Sequence, residues 1–214
     1  MICGVDEAGR GPVLGPMVVA AVAIEDDAPL RRMEVRDSKK LTPSRREELA
    51  VRISESCRVE YQVISHEEID ARGTRVSLNE LEAAVFAALI DRLKAEVVYV
   101  DACDVNEDHF RQMVSGRLSY KPRMVCEHKA DDHYPVVSAA SIIAKTNRDR
   151  IVAEMQLEIG QEIGSGYASD PTTIAFLQKW IREKGDLPPY TRRSWATAKE
   201  ALSSSKNAKL TDWE

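Results

Sequence analysis

The chain opens Met1-Ile2-Cys3-Gly4-Val5-Asp6-Glu7-Ala8-Gly9-Arg10-Gly11-Pro12, and this stretch decides the fold. Residues 2–5 are mostly apolar and belong in a core as a strand, yet the strand ends in two adjacent acids. An ionised carboxylate drawn out of water must be paired, hydrogen-bonded or bound to a metal. Gly9 and Gly11 then remove side chains where another backbone could come close. The pattern suits a divalent cation beside a polyanion.

After Gly15-Pro16, the β-branched run at 17–24 reads as a second strand. Residues 25–29 read as a loop. Thr42-Pro43 starts a helix to about residue 56, with Thr42 as N-cap. A third strand follows at 58–65, then a short helix at 66–71. Ser77 and Glu80 form a capping box for a long helix reaching about residue 94. Val97-Val98-Tyr99-Val100 is a continuous apolar run, as in a strand buried on both faces, and it ends in Asp101. A helix at 106–116, a strand at 123–127 and a helix at 135–159 come next. Asp170-Pro171 opens a helix to about 184, and a last one spans 193–202. This order predicts an α/β fold whose sheet runs in mixed directions, with a helical C-terminal end. The division expected is a core over 1–160, a helical region over 161–202 and a mobile tail over 203–214.

With 214 residues, 43% apolar and 30% charged, the chain has ample material for one large domain or a domain with an appended lobe. Its longest apolar run, at 17–24, is too short to cross a bilayer. With Asp6 and Glu7 interrupting any leader-like start, the expectation is a cytoplasmic protein. The cysteines Cys3, Cys57, Cys103 and Cys126 are scattered without zinc spacing, and the three at or beside apolar strand-like runs are expected as small core residues. The net charge of -5 disfavours a protein that coats nucleic acid non-specifically. Basic residues nevertheless gather at 36–46 and beyond 178, around an acidic centre. That distribution fits metal in the middle and phosphates at the edges.

Asp6-Glu7, Asp101 and Asp131 each follow a predicted strand, and ligands of α/β sheets gather at the carboxyl ends of strands. If those strands are neighbours, four carboxylates converge, and their repulsion calls for cations. Oxygen-only donors select Mg²⁺ or Mn²⁺ over zinc. Two ions about 4 Å apart would activate a water and stabilise the leaving oxygen of a phosphoryl displacement. Another two-metal phosphoryl-transfer enzyme, such as a DNA nuclease or an integrase-like protein, satisfies these acids as well. A module that binds without cutting is disfavoured, because it gains nothing from crowded negative charge near phosphates.

Five blocks together resemble the ribonuclease HII family, in a form close to the archaeal one. They are residues 6–12, Asp37-Ser38-Lys39-Lys40-Leu41, Val100-Asp101-Ala102, Glu127-His128-Lys129-Ala130-Asp131 and residues 138–145, joined by Gly164-Ser165-Gly166-Tyr167. The resemblance implies a ribonuclease-H-like fold, with a five-stranded mixed sheet flanked by helices and a helical C-terminal region that helps clasp a duplex. It implies hydrolysis of the RNA strand of RNA–DNA hybrids and incision 5′ of single ribonucleotides in duplex DNA, leaving 3′-hydroxyl and 5′-phosphate ends. It assigns Asp6, Glu7, Asp101 and Asp131 to catalysis and to two Mg²⁺ or Mn²⁺ ions. Gly9, Arg10 and Gly11 match the loop that feels the ribose 2′-OH, and Tyr167 the tyrosine that stacks at the ribo-to-deoxyribo junction. Lys39 and Lys145 resemble phosphate-contacting lysines. Ala168 departs from a family in which proline often follows the tyrosine. Asn207-Ala208-Lys209-Leu210-Thr211-Asp212-Trp213 resembles a degenerate sliding-clamp peptide, with Asn for the usual Gln and one aromatic of two. A monomer is expected.

Overall fold

A computed structural model describes residues 1–35, 41–73 and 75–211, with side chains of the last helix described through 204. In chain order the elements begin with β1 (Ile2–Ala8), β2 (Met17–Ile24), α1 (Ala28–Arg32), α2 (Pro43–Ser56) and β3 (Arg58–Ile64). Next come α3 (His66–Ala71), α4 (Leu78–Leu93), β4 (Val97–Asp101), α5 (Glu107–Ser115) and β5 (Arg123–Glu127). The C-terminal part holds α6 (Ala130–His133), α7 (Pro135–Ile159), α8 (Pro171–Lys184) and α9 (Ala196–Thr211).

The sheet has five strands in the order β3-β2-β1-β4-β5. β1 pairs antiparallel with β2 and parallel with β4, and β4 pairs parallel with β5. The mixed sheet thus puts the opening strand at its centre, where both neighbours satisfy its backbone. β2 is buried along nearly all its length, which explains its unbroken apolar sequence. Capping chemistry sets the helix starts. Thr42 accepts from the Arg45 amide with Pro43 at the first turn, and Ser77 and Glu80 close a reciprocal capping box.

Three expectations change. Residues 28–32 are a short helix that begins inside the loop expected over 25–29, because Pro29 sits in the first turn and Asp27 pairs with Arg31 one turn on. Residues 130–133 form a helix of their own, entered through Lys129 at φ 58°. The final helix starts at Ala196 and continues to Thr211, past the 202 expected from the serines at 203–205.

The chain forms two compact units that interleave in sequence, whereas the division expected from the sequence was contiguous at residue 160. The first comprises Met1–Ala8, Val18–Val63 and Thr74–Asn147, and holds the sheet. The second comprises Gly9–Met17, Ile64–Gly73 and Arg148–Glu214. Backbone bonding explains why the early segment 9–17 belongs with the C-terminal helices. Val13 and Leu14 donate to the Gly166 carbonyl, and Leu14 bridges to Thr191. Val13, Leu14, Phe176, Leu177 and Ile181 are buried together there in one cluster.

Candidate active site

Strand register builds the first part of the site. Val5 lies level with Val100 across the parallel β1–β4 pair, so Asp6 and Asp101 follow at adjacent strand ends. Asp131 arrives differently from the strand end predicted for it. It lies on α6, and the Ala130 amide donates to Asp101 Oδ1 at 3.1 Å, which pins the start of that helix beside β4. The Ser138 hydroxyl of α7 donates to the Asp131 carbonyl. Carboxylate oxygens of Asp6, Asp101 and Asp131 lie within 4.8 Å of one another, and Asp6 and Asp131 are buried.

Glu7 belongs to a second group, with Glu82 of α4 and Cys103, also within 4.8 Å. The Cys103 thiol donates to Glu7 Oε2 at 3.0 Å. Successive side chains of a strand point to opposite faces, which is why adjacent acids serve two clusters. Of the four acids expected together, Asp6, Asp101 and Asp131 meet within 4.8 Å, and Glu7 adjoins them. Glu7 stays close enough to act on its neighbour. Burial first, then the charges of Glu7 and Asp101, raise the Asp6 pKa well above its ordinary range, while the Ser141 hydroxyl and the Glu7 amide pull it back.

This donor set fits a hard divalent cation. All three ligand atoms are carboxylate oxygens, and the burial and mutual repulsion that raise the Asp6 pKa are what a metal ion would offset. Asp6, Asp101 and Asp131 would hold it, with Glu7 adjoining.

The second unit carries the loop and the tyrosine. Gly9 has φ 85°, and an added Cβ there would lie 2.3 Å from Arg148 Nε. The Arg148 guanidinium lies over the Tyr167 ring at 5.2 Å and donates to the carbonyls of Pro16 and Ser165. A Cβ built on Gly11 would stand 3.8 Å from Tyr167 Cε1, so loop and tyrosine are neighbours. Tyr167 is 36% exposed. Arg192 is fully buried and fastens the loop from within.

Of the lysines, Lys145 is half-buried on α7, and Lys39 lies outside the described residues. Within the basic stretch at 36–46, Arg46 is buried and donates to the Leu41 carbonyl, and Arg45 pairs with Glu48. Neither is a free phosphate arm. His133 pairs with Glu127, and the described cysteines form no disulfide with one another.

Sequence reasoning missed Glu82, Cys103, Ser141, Arg148 and Arg192. Glu82 had left a signal: it occupies the apolar stripe of α4 with Leu78, Val85 and Leu89, where a charged residue is out of place. Nothing local marks the two arginines, whose partners are distant in sequence.

The family model for ribonuclease HII matches residues 3–198. Ribonuclease HII of Methanoregula boonei is 48% identical over 213 residues, covering 100% of both chains. The ribonuclease H2 structure from Pyrococcus horikoshii superposes with a TM-score of 0.89 at 40% identity, covering 96% of this chain and 98% of that one. A structure described as the PCNA:RNase HII complex from Archaeoglobus fulgidus gives a TM-score of 0.87 at 44% identity, with 94% of this chain and 96% of the other covered. Among the described residues no helix is long and apolar enough to cross a membrane. A triad of acids set by β1, β4 and α6, in a chain similar over its whole length to these enzymes, has one reading: the chain belongs to the ribonuclease HII family, hydrolases that cleave the RNA strand of RNA–DNA hybrids.

Proposed function

We propose that this protein cuts the RNA strand of RNA–DNA hybrids and also incises duplex DNA 5′ of a single embedded ribonucleotide, leaving 3′-hydroxyl and 5′-phosphate ends. The observation that carries the chemistry is the convergence of Asp6, Asp101 and Asp131 within 4.8 Å. These acids, with Glu7, would hold Mg²⁺ or Mn²⁺. Two such ions, when bound, supply water activation and stabilisation of the leaving oxygen.

The protein's own groups prepare that step. Burial of Asp6 and Asp131 excludes bulk water from the acids, and the Ala130 amide fixes the orientation of Asp101. Ser141 orients Asp6 through its hydroxyl. The loop Gly9-Arg10-Gly11 reads the ribose 2′-OH through its backbone, the group that distinguishes RNA from DNA. Tyr167 stacks at the junction, held by Arg148 behind its ring. Lys39 and Lys145 contact phosphates.

The test is a duplex DNA with one ribonucleotide, its all-DNA counterpart and a long hybrid, each with Mg²⁺ or with EDTA. Cleavage of the first and third, lost in EDTA, is expected. Tyr167→Ala should slow cutting at the isolated ribonucleotide about tenfold more than on the hybrid, the worth of one stacking contact. Equal losses on both substrates would remove the junction role.

A sliding clamp is the proposed partner, reached through residues 207–213. The support is the motif-like spacing of Leu210 and Trp213, of which Trp213 lies outside the described residues, together with the complex reported for the Archaeoglobus relative. Binding to the clamp in a pull-down should disappear when Leu210 and Trp213 are both changed to Ala. Retained binding would place the contact elsewhere.

A further inference from the structure

The Gly9-Arg10-Gly11 loop is soft by composition, with a third glycine at Gly15, and glycine loses the most conformational freedom when fixed. Recognition of one hydroxyl by backbone groups tolerates little play, since a displacement of about 1 Å at a reacting centre costs about 100-fold in rate. Something must hold the loop still. Arg192 is 0% exposed, and its guanidinium spans the loop from inside. Nε donates to the Gly15 carbonyl at 3.0 Å, Nη1 to the Arg10 carbonyl at 2.8 Å and Nη2 to the Gly9 carbonyl at 2.6 Å. The ring of Trp195 backs the guanidinium at 5.1 Å.

In a trans peptide the C=O and the following N–H point in opposite directions. Fastening the Gly9 carbonyl therefore turns the Arg10 amide away from Arg192, and fastening the Arg10 carbonyl does the same to the Gly11 amide. We propose that Arg192 is the positioning residue for ribose recognition. By clamping two consecutive carbonyls, it aims the N–H groups of Arg10 and Gly11 outward as a pair of donors for the 2′-oxygen. The clamp also polarises both peptide units, because a hydrogen bond to a carbonyl strengthens the donor on the same amide. The three carbonyls take donors from three separate nitrogens, a spread that the single ammonium of lysine does not match. Arg148 braces the same loop from the Gly9 side, where an added Cβ would collide with its side chain.

The inference rests on the ribose-reading role proposed above for the loop. It is tested with Arg192→Lys, which keeps the charge and loses the fork. The readouts are the thermal transition, Mn²⁺ binding by titration calorimetry, and the single-turnover rate constant on the one-ribonucleotide duplex with enzyme in excess. With folded enzyme kept saturating, a reduced folded fraction does not change that rate constant, so a merely structural role leaves it alone. We expect a loss of about 100-fold in the rate constant with Mn²⁺ affinity unchanged, the cost of misplacing the donors. A rate constant equal to wild type overturns the proposal. Should Arg192→Lys fail to fold, Trp195→Leu loosens the guanidinium while leaving its three acceptors. It should lower the same rate constant by about tenfold, and no change there is equally fatal. If the wild-type protein itself leaves the duplex intact, the failure lies with the substrate reading and not with Arg192.

Discussion

Asp101→Asn abolishes cleavage and leaves the fold in place. The substitution removes one charge and keeps the shape, and the amide oxygen of asparagine can still accept from the Ala130 amide at the position Oδ1 now holds. Asp131 therefore stays where α6 puts it. What disappears is one of three carboxylates within 4.8 Å, and with it cation affinity. Metal stabilisation of a phosphoryl transition state is worth several kcal/mol, so turnover should fall by about 1,000-fold or more.

The same variant makes a second, opposite mark on stability. Asp101 is one of the charges that raise the Asp6 pKa, after burial and Glu7. An acid whose pKa is raised on folding binds more protons folded than unfolded. Its contribution is therefore most favourable below its ordinary value of 3.8 and is lost as pH climbs through the raised one. In EDTA, wild-type thermal stability should drop more steeply than that of Asp101→Asn as the pH rises from about 4 towards neutrality. Added Mn²⁺ should restore the wild type and do little for the variant. Calorimetric melts across pH, with and without metal, check both halves. Retained turnover would take Asp101 out of the mechanism.

The features legible in the sequence are those whose causes are local. β2 announces itself by its β-branched run, and α2 and α4 by Thr42-Pro43 and by the Ser77–Glu80 box, whose geometry depends on residues three apart. Asp6 and Asp101 could be placed because an apolar run ending in an acid is visible without its neighbours. Asp131 reads from the sequence as following a strand end, since α6 is a four-residue helix started by a left-handed Lys129 and leaves no periodic trace. Separating Glu7 from the triad required knowing which face of β1 meets α4, which only the packed structure provides. Arg192 is the extreme case. Its partner Gly9 lies 183 residues away, and an arginine satisfied by carbonyls leaves no complementary charge to look for.

Gly4→Val unfolds the site from underneath. Gly4 sits in the middle of β1, with ordinary strand conformation, so the objection to a side chain is purely one of space. A Cβ there would lie 2.3 Å from the Val136 carbonyl carbon and 2.4 Å from both its oxygen and the Val137 nitrogen. These are backbone atoms in the first turn of α7, and they cannot swing aside as a side chain would. Either β1 leaves the register that aligns Val5 with Val100, or α7 lifts off the sheet. Overpacking of this kind costs about 3 kcal/mol, which for a chain of this size lowers the melting temperature by roughly 10 °C. Gly73→Ala is the contrast. Its added Cβ meets nothing within 4 Å, and only the φ of 62° resists, at about 1 kcal/mol. The damage from Gly4→Val also reaches the chemistry, because α7 carries Ser138, which holds the Asp131 carbonyl, and Ser141, which faces Asp6. Mn²⁺ binding should therefore weaken together with the melting temperature in Gly4→Val and stay normal in Gly73→Ala. If Gly4→Val melts like wild type, the strand and helix do not meet as closely as these distances require.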